Sequence, residues 1–185
     1  KTRRSSPAPV GPAHPASGRA TGWAASRRTL TRPRRPGSEP LLVSGPRLTH
    51  ATAEVDHLAT GFRRSTLLTG DVATVERTLA GLAGADLAHL ATHGHHVADN
   101  ALFSALELSD GRLHGYEVQR LRDVPRVVVL SACDVGRHDV RPGDESLGMA
   151  TAFLGAGAAT VVASVTRVAD AGAPEVMTAF HEQLA

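Results

Sequence analysis

Two side chains in this sequence combine the types and settings needed for covalent acyl transfer. Cys133 is the only thiol in the chain. It follows the apolar run of residues 126–130 and precedes the polar, glycine-containing stretch Asp134-Val135-Gly136. His93 follows a second apolar run, Leu87–Ala91, and precedes Gly94. A thiolate is the nucleophilic form of cysteine, and a nearby imidazole lowers the thiol pKa or takes its proton. The same imidazole can then protonate a leaving amine. The oxyanion formed on attack needs preorganised donors, and the backbone N–H groups of Gly94 and Cys133 could supply them, glycine allowing close approach. Taken alone, these positions leave the alternatives open: a free cysteine is more often a small buried hydrophobe, and a lone histidine is more often structural.

The surrounding pattern predicts how such a pair would be positioned. Leu41–Ser44 is a short apolar run closed by Gly45-Pro46, and Leu48, Ala51, Val55 and Leu58 follow at helical spacing. Residues 65–68 form a second strand, and Asp71 is expected to cap a helix carrying Val72, Val75 and Leu79. Leu87–Ala91 is a third strand. Residues 101–108 and Arg112-Leu113 flank Asp110-Gly111, a strong hairpin signal. A short helix is expected over 114–121, a strand over 126–130 and a helix from Asp144 to Leu154 ended by Gly155. A strand over 159–165 and a helix opening at Pro174 follow. Nearly unbroken apolar strands alternating with helices predict an α/β fold: a mainly parallel central sheet with helices on both faces. Sites in such sheets form at the carboxyl ends of the strands, where His93 and Cys133 both fall.

Five ordered motifs then make the chain resemble a known family. They are His89-Leu90-Ala91-Thr92-His93-Gly94, Val129-Leu130-Ser131-Ala132-Cys133, Gly143-Asp144-Glu145-Ser146-Leu147-Gly148, Ala152-Phe153-Leu154-Gly155-Ala156-Gly157-Ala158, and Val161-Val162-Ala163-Ser164. In order and spacing, over residues 40–185, the chain is similar to the CHAT domain, a protease family of the caspase and separase clan. Gly45-Pro46-Arg47-Leu48 and the Asp110-Gly111 hairpin have counterparts there. The resemblance implies a caspase–hemoglobinase-like sandwich and hydrolysis of a peptide bond in a partner protein. It implies His93 as general base, Cys133 as nucleophile, and Gly94 with Cys133 as the oxyanion-hole positions. Ser131 matches a position lining the pocket for the residue before the scissile bond. Asp170 matches an acid that in separases receives a substrate arginine, although a helix N-cap is an equally good reading of it. Asp134, Asp144 and Glu145 join the expected substrate-binding set, the last two serving equally as helix-capping charges. Thr166 stands where the family has tryptophan, which opens the pocket wall. CHAT domains often follow tetratricopeptide repeats, so repeats or another regulatory domain are expected partners. The alternative is a catalytically silent scaffold of the same fold.

Composition bounds the rest. The chain has 185 residues, 42% hydrophobic but only 3% aromatic, so its core must be built mainly from Ala, Val and Leu. Residues 1–40 carry nine basic residues and one acidic residue, a charge of +8, whereas the other 145 carry 11 and 17, a charge of −6. The basic stretch, rich in Pro, Ser and Arg, is expected to be a disordered tail or linker ahead of a domain over residues 41–185, truncated at its C-terminus. No specific nucleic-acid contact is expected of it. A single cysteine forms no internal disulfide, and no run reaches the roughly 18 apolar residues of a membrane span; a cytoplasmic setting is expected. His93, His95 and His96 with Asp99 or His89 suggest a metal set only weakly, because adjacent side chains on a strand point to opposite faces. No metal or cofactor is expected, and Gly155-Ala156-Gly157 lacks the residues of a phosphate loop.

Overall fold

The computed structural model describes residues 23–27, 37–48, 50–97, 100–131, 144–164 and 173–182. The apolar runs form a six-stranded sheet. Its strands are β1 (Trp23–Arg27), β2 (Leu41–Ser44), β3 (Thr66–Leu68), β4 (Leu87–Ala91), β8 (Val127–Ser131) and β9 (Thr160–Ser164). The spatial order is β1-β9-β8-β4-β2-β3. From β9 to β3 the five strands are all parallel, and β1 pairs antiparallel on the outer edge of β9. Every residue of β2 and β8 is buried, as expected for parallel strands covered on both faces. A smaller antiparallel sheet holds β5 (Gly94–His95), β6 (Ala105–Leu108) and β7 (Gly111–His114).

Two layers of helix cover the large sheet. On one face α2 (Val75–Gly84) and α4 (Asp144–Ala156) bring Leu82, Met149 and Phe153 against Leu41, Val43, Leu90, Val128, Leu130 and Val161. On the other, α1 (Ala51–Thr60) and α5 (Ala173–Glu182) bring Val55, Leu58 and Met177 against Leu42, Val129 and Val162. A short helix, α3 (Gly115–Val118), packs on α4. Among the described residues, the largest fully buried side chains are Phe153, His89 and a set of Leu, Met and Val, with Ala73, Ala88 and Ala152 filling the space between elements. The architecture is α/β with a mainly parallel sheet between helices, the caspase-like arrangement.

Several expectations need correction. Residues 23–27, expected within a tail, are the edge strand β1; Trp-Ala-Ala-Ser-Arg shows no apolar alternation, and the strand is instead defined by its register on β9, from Trp23 opposite Ser164 to Arg27 opposite Thr160. Asp71 does not cap α2: it lies in a 3-10 turn over Gly70–Val72, entered through Gly70 at φ +54°. Thr74 is the cap, its hydroxyl accepting from the Arg77 N–H at 3.2 Å, while Asp110 accepts from the Val75 N–H at 2.9 Å. Residues 101–103 form a 3-10 turn rather than strand. Helix α4 runs through Gly155 and is followed by Gly157 in a left-handed conformation at φ +108°.

Candidate active site

The large sheet presents the carboxyl ends of β2, β4 and β8 side by side. Val43 is level with Leu90 and Leu90 with Leu130; one step further, Ala91 is level with Ser131. His93 therefore leaves the sheet two residues beyond a paired position on β4. Ser131, buried, is the last residue of β8. Cys133 and Asp134 lie outside the described residues, as does Asp170. Asp144 and Glu145 open α4.

The His93 segment is clamped from two sides. The Gly45 N–H donates to the Ala91 carbonyl at 2.8 Å. Glu107 on β6 donates its N–H to the His93 carbonyl at 2.9 Å and accepts, through its own carbonyl, from the buried Thr92 hydroxyl. The Glu107 carboxylate lies between Arg47 and His95, pairing with Arg47 and reaching His95 Nε2 at 3.3 Å. His95, an early metal candidate, is thus a partner of Glu107. Gly45 is required here for space: a Cβ would overlap the Thr92 side chain and sit 2.8 Å from the Glu107 carbonyl. Gly45→Ala should destabilise the fold by about 1–3 kcal/mol, read as a lowered urea midpoint with an unchanged slope.

The small sheet also orients Gly94. The His93–Glu107 bond makes residues 93 and 107 a hydrogen-bonded pair, so Gly94 and Leu106, next along the ladder, form the non-bonded pair. The Gly94 N–H consequently points away from β6. Helix α4 closes this region from the side: Gly148 leaves room for the Ser104 side chain, whose hydroxyl accepts from the Val97 N–H at 3.1 Å.

A family model for the CHAT domain matches residues 9–185. The chain belongs to the CHAT domain family. CHAT domains are a caspase-like protease family, and the parallel sheet described above agrees with that fold. A search of curated proteins finds no match. The CHAT domain described here has no helix, among the described residues, long and apolar enough to cross a membrane.

The sequence reading missed a buried polar row on the α1/α5 face of this CHAT domain. His89, fully buried on β4, places Nε2 2.8 Å from Glu54 of α1 and Nδ1 3.1 Å from His181 Nε2 of α5. Burial, with His89 adding to it, lowers the His181 pKa from the usual 6.5 to about 3. His89 is visible in the sequence only as a polar residue inside an apolar strand; its partners stand 35 and 92 residues away.

Proposed function

We propose that this CHAT domain is a cysteine endopeptidase acting through a Cys133–His93 dyad. In this reading the His93 imidazole takes the Cys133 proton and the thiolate attacks the scissile carbonyl. The oxyanion is held by the N–H groups of Gly94 and Cys133. Collapse breaks the C–N bond, the imidazolium protonates the departing amine, and water then hydrolyses the thioester with His93 again as base. The observation that carries this is the β4–β8 register. Ala91 and Ser131 are partners, and His93 and Cys133 each follow their partner position by two residues. Neighbouring strands lie about 4.8 Å apart, a spacing that two side chains can bridge. The outward direction of the Gly94 N–H supports its role as an oxyanion donor.

Ser131, Asp134, Asp144, Glu145 and Asp170 make up the proposed substrate-binding set, with Asp170 receiving a basic residue before the scissile bond. The test is a peptide library that varies that residue, digested by wild type and by Asp170→Ala. Wild type should cleave peptides bearing Arg or Lys at least about tenfold faster than neutral ones, the size of a lost charge-assisted bond. The variant should lose the preference and keep the cleavage of neutral peptides. Absence of any cleavage by wild type argues against the peptidase; cleavage with an unchanged preference in the variant argues only against Asp170.

A further inference from the structure

Glu107 is tied to the His93 segment through its main chain and lies beside it through its side chain. Its N–H donates to the His93 carbonyl at 2.9 Å, which sets residues 93 and 107 opposite each other at the end of the β5–β6 ladder. Opposed residues on antiparallel strands project to the same face, with Cβ atoms about 5 Å apart. Leu106, Leu108 and Leu113 turn into the core, where α4 brings Met149 and Phe153. Glu107 alternates with Leu106 and Leu108 along β6, so it shares the opposite face with His93. The contact between His95 Nε2 and Glu107 Oε2 at 3.3 Å, two residues along, lies on that same face.

The charges around this carboxylate are unequal. Glu107 is the only acid in the three strands β5, β6 and β7. Arg112 stands opposite it on β7, and Arg47 reaches it from the loop after β2 and pairs with its other oxygen. His114, further along β7, stacks on Tyr116 instead. Asp144 and Glu145 belong to the first turn of α4. Among the described residues, Arg47 is also the one non-glycine residue with a left-handed backbone, at φ +59°. Strain of this kind persists where the surrounding structure holds it, and here the strained residue is the one whose guanidinium grips Glu107. The Glu107 side chain is only 18% exposed, so its charge is screened less than that of a surface acid.

We propose, on the dyad reading above, that Glu107 is a positioning residue for His93. Its main chain fixes the His93 backbone. Its carboxylate, held by Arg47 and His95, stabilises the imidazolium that His93 becomes on taking the Cys133 proton. A nearby opposite charge favours the charged form of the ring. Arg47 moderates the effect, because its own positive charge opposes the imidazolium.

The test is the pH dependence of peptide cleavage by the whole chain and two variants, using the library peptide that wild type cleaves fastest. Glu107→Gln keeps the size of the side chain and removes its charge. Its kcat should fall at least about threefold with KM little changed. The acidic limb of kcat/KM should move to lower pH by about half a unit, the size expected of a unit charge acting over several ångströms near a protein surface. Arg47→Met should move the same limb to higher pH, because it leaves the carboxylate unopposed. A merely structural role would not shift the limb in opposite directions. If Glu107→Gln does not fold, Arg47→Met, altered at an exposed guanidinium, decides alone. An unmoved limb in a folded Glu107→Gln, or an unmoved or lowered limb in Arg47→Met, would overturn the proposal and leave the dyad standing. No cleavage by wild type would overturn the dyad and this inference together.

Discussion

Cys133→Ala will abolish peptide-bond cleavage, lowering the rate at least about a thousandfold, because the covalent step has no other nucleophile and a dyad acts as a unit. The chain contains one thiol, so no second cysteine can substitute. The fold should survive: the core is formed by Leu, Val, Met and Phe153 on the two faces of the sheet, with no disulfide involved. Far-UV circular dichroism and the urea midpoint should therefore stay close to wild type while cleavage products vanish. His93→Ala should give a similar loss, and the double variant should be little worse than either alone. Additive losses would show that the two residues act independently.

The second large effect is on stability in acid. Above about pH 6.5, His181 is neutral both folded and unfolded, and it adds no pH dependence. As the pH falls from there towards 3, the unfolded chain takes a proton on this residue that the folded chain refuses. The folded state then binds fewer protons, so its stability falls with pH, by up to about 1.4 kcal/mol per pH unit. Near pH 4 the accumulated loss is roughly 3 kcal/mol, a large share of the 5–15 kcal/mol typical of a domain. The ionisable side chains of Glu54, His89, His57 and Glu182 surround this group. The diagnostic is therefore the difference between variants rather than the raw curve. His181→Gln keeps a polar amide beside His89 and removes the titrating ring. Urea unfolding across this range should show a shallower acid slope for the variant. Identical slopes would mean that His181 does not carry the acid sensitivity.

The parts of this structure legible in the sequence are those set by local pattern. Leu41–Ser44, Leu87–Ala91 and residues 126–130 read as buried parallel strands because each is nearly all apolar, the last appearing one residue later as Val127–Ser131, and the helices between them read from their spacing. The position of His93 at a strand end followed from the same pattern, and the ordered motifs brought the family with them. Features that depend on distant partners were not legible. Strand β1 is defined by the free edge of β9, more than 130 residues later, and its own residues announce nothing. Glu54 and His181 look like solvent-facing helix residues until α1 and α5 are laid over His89. The clamp of Gly45, Thr92 and Glu107 joins three segments, and of these only the glycine carried a local signal, as a turn. The choice of Thr74 over Asp71 as cap was decided by the backbone at Gly70, not by the intrinsic capping strengths of the two residues.

The most direct test of the account is the pH dependence of Cys133 alkylation by iodoacetamide, in wild type and in His93→Ala. A thiol paired with an imidazole reacts as a thiolate well below the ordinary midpoint of about 8.5. The wild-type midpoint should lie at least about one unit lower than that, and His93→Ala should return it to about 8.5. A midpoint near 8.5 in both proteins would contradict the dyad.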